Sequence, residues 1–150
     1  MTGLSTSPPA LADAGGLVLP PLPFPPLKVL CVDDNRDAAD SLGALLRLVG
    51  FEARVCHDAA TALTVAAGFR PEACVLDITM PLTDGYELAQ AMRAARGGDA
   101  LFLVAVTALD DRARTTAAGF DRHFVKPVAP QTLIDVLFAF ERGLRTRAGA

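Results

Sequence analysis

The chain has 150 residues, a formal net charge of −3, and 51% hydrophobic residues. That is enough for one domain with a sizeable core. The mild charge, with no basic stripe, argues against nucleic acid as a partner, and no apolar run approaches the ~18 residues of a membrane span. Three cysteines, Cys31, Cys56 and Cys74, have no metal-ligand spacing and sit in strand-like runs, which fits small core residues in a reducing cytosol. The first basic residue is Lys28, so no secretory signal is expected and the location expected is cytoplasmic.

Residues 1–26 hold seven of the eleven prolines, among largely Ala, Gly, Leu, Ser and Thr. Such a segment cannot form a helix or a central strand, so a flexible tail or linker is expected. A polyproline ligand for a partner's groove is the other reading. Structure begins at Leu27. Lys28-Val29-Leu30-Cys31-Val32 reads as a buried strand, followed by Asp33-Asp34-Asn35, where Asn35 or Asp34 can cap a helix. Leu42, Leu45, Leu46 and Val49 give that helix one apolar face, and Gly50 ends it. A second strand spans 51–56. Asp58 can cap a helix reaching Ala67, closed by Gly68. His57, between them, reads as a surface loop residue far from the other motifs.

The third strand, Ala73 to Asp77, is apolar until its final carboxylate, and Pro81 follows. Asp84 and Glu87 have capping-box spacing before a third helix, which runs to about Arg96 with Gly97-Gly98 as its stop. Leu101 to Val106 is a fourth strand ending at Thr107. A short helix fits Asp110 to Ala118, and a fifth strand runs from His123 to Val125, before Lys126-Pro127. The last helix starts near Pro130 and ends near Arg142. Its stripe of Leu133, Val136, Leu137, Phe140 and Leu144 is widened by Ile134 and Phe138. That width fits either a broad buried face or a homodimer surface.

Five alternations of strand and helix predict an α/β fold: a doubly wound, five-stranded parallel sheet with helices on both faces. In such sheets ligands bind at the carboxyl ends of the strands. Those ends deliver Asp33 and Asp34, Asp77, Thr107 and Lys126. Three converging carboxylates raise at least one pKa unless something compensates, and a hard divalent cation such as Mg²⁺ is the remedy. A lysine and a hydroxyl beside it suit phosphoryl oxygens. The set reads as a phosphoryl-transfer site with Asp77 as nucleophile.

Val32-Asp33-Asp34, Leu76-Asp77-Ile78-Thr79-Met80-Pro81 with Asp84-Gly85, Val106-Thr107-Ala108 and Val125-Lys126-Pro127, in this order, resemble the receiver domains of two-component response regulators. The resemblance covers about Leu27 to Gly143 and sets the domain at 27–143, with 144–150 as a C-terminal tail. It implies a flavodoxin-like strand order of 2-1-3-4-5 and a phosphorelay function, with Asp77 as phosphoacceptor. It further implies Mg²⁺ (or Mn²⁺) bound directly by Asp34, with Asp33 binding through water or assisting, and by Asp77 and the Thr79 carbonyl. Thr107, the Ala108 N–H and Lys126 would hold the phosphoryl group, and the Lys126-Pro127 bond would be cis.

The partner implied is a histidine kinase or histidine phosphotransfer protein, with neither nucleic acid nor membrane involved. With no output domain following, signalling would be by protein contact, standalone or within a hybrid kinase, and no separate enzyme activity is expected. A commonly aromatic switch position falls at His123, which reads either as a switch with pH sensitivity or as a packed strand residue. Thr107 and Lys126 are 19 positions apart, fewer than the family pattern, which predicts a short or mobile fourth helix. Two further readings stand beside this one. A pseudo-receiver scaffold would bind without phosphorylation. A Mg²⁺-dependent small-molecule phosphatase generally needs an acid two residues after the nucleophile, where this chain has Thr79.

Overall fold

The computed structural model describes residues 24–81, 83–97 and 100–149. The chain-order elements are β1 (Lys28–Val32), α1 (Arg36–Leu48), β2 (Glu52–Cys56), α2 (Ala59–Phe69), β3 (Ala73–Asp77), α3 (Gly85–Arg96), β4 (Phe102–Thr107), α4 (Arg112–Ala117), β5 (Arg122–Val125) and α5 (Pro130–Gly149). Two-residue strands Thr79–Met80 and Thr83–Asp84 form a separate hairpin before α3. The main sheet is wholly parallel, in the order β2-β1-β3-β4-β5.

Alternate strand residues feed two cores, as the pleat requires. Leu30, Val32, Cys74, Leu76, Leu103 and Ala105 face α2 and α3, where they meet Ala62, Leu88 and Met92. Val29, Cys31, Val75 and Val104 face α1 and α5, where they meet Leu46, Leu133 and Leu137. All three cysteines are buried free thiols. Burial pushes Cys31 up to about 12 and also raises Cys56 and Cys74, so none is a ready thiolate.

The helix starts follow the expected caps. Asn35 accepts from the Ala38 N–H at 3.1 Å, and Asp58 accepts from the Thr61 N–H at 2.7 Å. Several ends differ from the sequence reading. Helix α2 does not close at Gly68. It runs on to bury Phe69, whose ring lies under Arg54 at 4.5 Å, and the left-handed position falls on Arg70. Gly97 takes the left-handed stop of α3, while Gly98 lies outside the described residues. Helix α4 is indeed short, six residues capped by Asp111.

Helix α5 passes Arg142 and continues to Gly149, so the segment set apart as a tail begins inside it. Arg145 anchors the extra turns. It pairs with Glu141 at 3.5 Å, donates to the Pro25 carbonyl at 2.6 Å and lies over the Phe24 ring. The rest of the Pro-rich lead, residues 1–23, lies outside the described residues. The wide stripe of α5 is accounted for by internal packing. Ile134 is buried, and the Phe138 ring sits 4.6 Å from that of Phe51.

Candidate functional site

Strand order alone places the site. β3 lies at the centre with β1 beside it; the chain winds outward from β1 to β2 on one side and from β3 to β4 and β5 on the other, so the loops after β1 and β3 leave in opposite directions and open a crevice between them. Asp77 closes β3 and is only 6% exposed. Its Oδ1 accepts the Thr79 N–H at 3.0 Å, and its Oδ2 lies 3.6 Å from Lys126 Nζ. Lys126 also reaches Asp33 Oδ2 at 3.3 Å, so one ammonium bridges two carboxylates. Asp33 spends its other oxygen on the Asn35 N–H at 2.9 Å, which shapes the loop into α1. Asp33, Asp34 and Asp77 each offer a ligand atom, all within 4.8 Å of one another.

One lysine does not neutralise three carboxylates. Asp77 is pushed up to about 6, chiefly by burial; the Thr79 N–H opposes the rise, the neighbouring Asp33 adds to it, and Lys126 offsets part of it. An all-oxygen, electron-rich set of this kind fits a hard divalent cation.

Thr107 ends β4 fully buried. Its Oγ1 accepts the Leu109 N–H at 3.1 Å and stands 3.4 Å from Thr79 Oγ1, a contact in which either hydroxyl can donate. Its carbonyl accepts the Lys126 N–H at 2.8 Å, tying the ends of β4 and β5 together. Ala108 follows, exposed, on the same rim. The Lys126-Pro127 bond is cis. Thr79 pairs with Asp84 across the hairpin, and Gly85 sits so close to the β3 end that a Cβ there would stand 2.6 Å from Ile78 Cα and 2.9 Å from the Asp77 carbonyl oxygen. Only glycine allows that return of the chain.

His123 does not reach this cluster. It stands on β5 with its ring turned inward, Nδ1 at 2.8 Å from Thr115 Oγ1 and Nε2 donating to the Leu109 carbonyl at 3.1 Å. It connects to the site through Leu109, which bonds Thr107 on one side and His123 on the other. His57 is nearer than its place in the sequence suggests. The parallel sheet sets the β2–α2 loop beside the start of α1, where His57 Nε2 donates to Asp40 at 2.9 Å and Nδ1 accepts from Arg36 at 3.2 Å. Leu109, Thr115 and Arg114 were not singled out from the sequence. The only signal was indirect, the shortened stretch between Thr107 and Lys126 in which α4 lies.

A family model described as the response regulator receiver domain matches residues 29–138. The transcriptional regulatory protein PrrA of Mycobacterium leprae (strain TN) is 40% identical over 124 residues, 82% of this chain and 52% of that protein. The response regulator MprA of Mycobacterium avium (strain 104) is 36% identical over 111 residues, 72% of this chain and 48% of that protein. Among solved structures, a CheY-like receiver domain protein of Methanospirillum hungatei JF-1 aligns with a TM-score of 0.75 at 23% identity, covering 81% of this chain and 98% of that one. The chemotaxis protein CheY4 of Vibrio cholerae gives 0.71 at 26%, covering 76% and 98%.

The chain belongs to the response regulator receiver family of two-component systems, with the CheY-like flavodoxin fold. It spans about half the length of the curated relatives it matches. Among the described residues, no helix is long and apolar enough to cross a membrane.

Proposed function

We propose that this receiver takes a phosphoryl group from a phosphohistidine donor, a histidine kinase or histidine phosphotransfer protein, onto Asp77, and signals in the cytoplasm by protein contact rather than by an enzyme activity of its own. The observation that carries this reading is the convergence at one sheet edge of a buried carboxylate, two flanking carboxylates, a bridging lysine and a buried hydroxyl.

An Asp77 oxygen attacks phosphorus in line. The bond from phosphorus to the donor's imidazole nitrogen breaks, and the nitrogen keeps the electron pair. Asp33, Asp34, Asp77 and the Thr79 carbonyl are the groups that would hold Mg²⁺ or Mn²⁺. A bound cation supplies charge neutralisation for the acidic group and for the phosphoryl oxygens. Lys126 leaves its shared position between Asp33 and Asp77 for a phosphoryl oxygen. The Thr107 hydroxyl donates to another, and the Ala108 N–H lies on the same rim. Because Thr107 also accepts from Leu109, its movement pulls on the loop that His123 holds, which makes His123 the switch residue.

Support for the donor's approach comes from a groove of about 650 Å³ beside Asp33 and Lys126. Its walls are mainly apolar, with Ala38, Leu42 and Leu45 on α1 facing Val128 and Pro130. A helix carrying the phosphohistidine fits such a wall, with its charged end towards Lys126.

The test is incubation with acetyl phosphate and Mg²⁺, read by intact mass. Wild type is expected to gain one hydroxylamine-sensitive phosphoryl group. Asp77→Asn, and wild type in EDTA, are expected to gain none. No gain by wild type from acetyl phosphate, phosphoramidate or a phosphorylated histidine phosphotransfer protein contradicts the proposal.

A further inference from the structure

Helix α4 touches the proposed metal-binding loop through Arg114. Arg114 reaches from α4 to the start of α3. There its guanidinium carbon lies 4.1 Å from the centroid of the Tyr86 ring, and its Nη2 lies 3.3 Å from Asp84 Oδ2. Asp84 is the pivot of the loop after β3. Its Oδ1 accepts the Tyr86 N–H at 2.9 Å and caps α3. Its backbone pairs with Thr79 across the hairpin. The Thr79 N–H in turn binds Asp77. Arg114, Asp84, Thr79 and Asp77 therefore form one chain of direct contacts from α4 to the acceptor carboxylate.

The opposite side of α4 is fixed as well. Thr115, 1% exposed, bonds His123 on β5. Asp111 caps the helix by accepting the Arg114 N–H at 3.1 Å. A helix of six residues has little packing of its own, so these contacts decide where it sits.

We propose that Arg114 is a positioning residue that holds the Thr79–Asp84 hairpin in the geometry required for divalent-cation binding. This rests on the reading above that the Thr79 carbonyl is a ligand. The pair with Asp84 is largely exposed, so it contributes little to global stability. Its effect falls on the loop, where a planar guanidinium both stacks on Tyr86 and hydrogen-bonds the cap carboxylate. Lysine retains the charge and loses the planar stack.

Tyr86 is the single tyrosine in a chain without tryptophan, so tyrosine emission reports the surroundings of this one ring. The experiment titrates Mg²⁺ into wild type, Arg114→Gln and Arg114→Lys, following Tyr86 fluorescence and amide NMR shifts. Exchange of the Thr79 amide is measured in EDTA. Arg114→Gln is expected to weaken Mg²⁺ binding about tenfold, the lower end for residues behind a ligand, and to speed Thr79 amide exchange at an unchanged melting temperature. Arg114→Lys is expected to restore part of both. Wild-type affinity together with wild-type Thr79 exchange in Arg114→Gln overturns the proposal. Mg²⁺ binding absent from wild type overturns the functional reading instead, and this inference with it.

Discussion

Asp77 is buried, crowded by Asp33 and held up to about 6, against an ordinary value of 3.8. A carboxyl whose folded pKa exceeds its unfolded one favours the folded state fully only while both are protonated. Its contribution is present below about 3.8 and lost as pH rises through about 6. Asp58, whose carboxylate is held low by the Thr61 N–H and hydroxyl, has the opposite sign and loses its contribution as pH falls. Comparison with Asp77→Asn isolates the first effect. In EDTA, the two proteins are expected to melt alike near pH 4. By pH 7 the variant should be the more stable, by on the order of 1–3 kcal/mol. Urea denaturation across that range checks this, and a wild type as stable as the variant at pH 7 contradicts it. The site thus stores an unfavourable charge that a bound divalent cation would offset.

At the scale of elements, α5 and α4 carry the departures from expectation. Phe138 and Ile134 make the α5 stripe wider than a single core face needs, and both pack inward. Phe138→Asp is therefore expected to cost about 2–4 kcal/mol of stability, by lost packing against Phe51 and a partly buried charge, without changing the sedimentation coefficient of the folded fraction. Dissociation of an assembly with unchanged stability would restore the dimer reading. The stops at Gly50 and Gly97 were legible because local backbone chemistry sets them. The stop at Arg70 was not, because burial of Phe69 overrides the preference for Gly68. The length of α5 was hidden for a similar reason. Its last turns depend on Arg145 meeting Phe24 and Pro25, residues some 120 positions away in sequence.

Across the whole molecule, the fold and the acidic cluster were readable because a parallel sheet converts sequence order into position. Every strand releases its last side chain at one edge. Asp33, Asp34, Asp77, Thr107 and Lys126 needed no tertiary detail beyond that rule. What joins the cluster to the rest, Leu109 between Thr107 and His123, and Arg114 between α4 and Asp84, depends on side-chain reach and on where a shortened helix comes to rest. The molecule is a sheet with a charged edge, and α4 is held against that edge from two sides. The central claim is that this edge directs phosphoryl transfer to one carboxylate. Borohydride reduction of the phosphorylated protein, followed by peptide mass mapping, tests it most directly. The account predicts a single reduced residue, Asp77. Reduction at Asp33 or Asp34, or a phosphoryl group carried on His57 or His123, would contradict it.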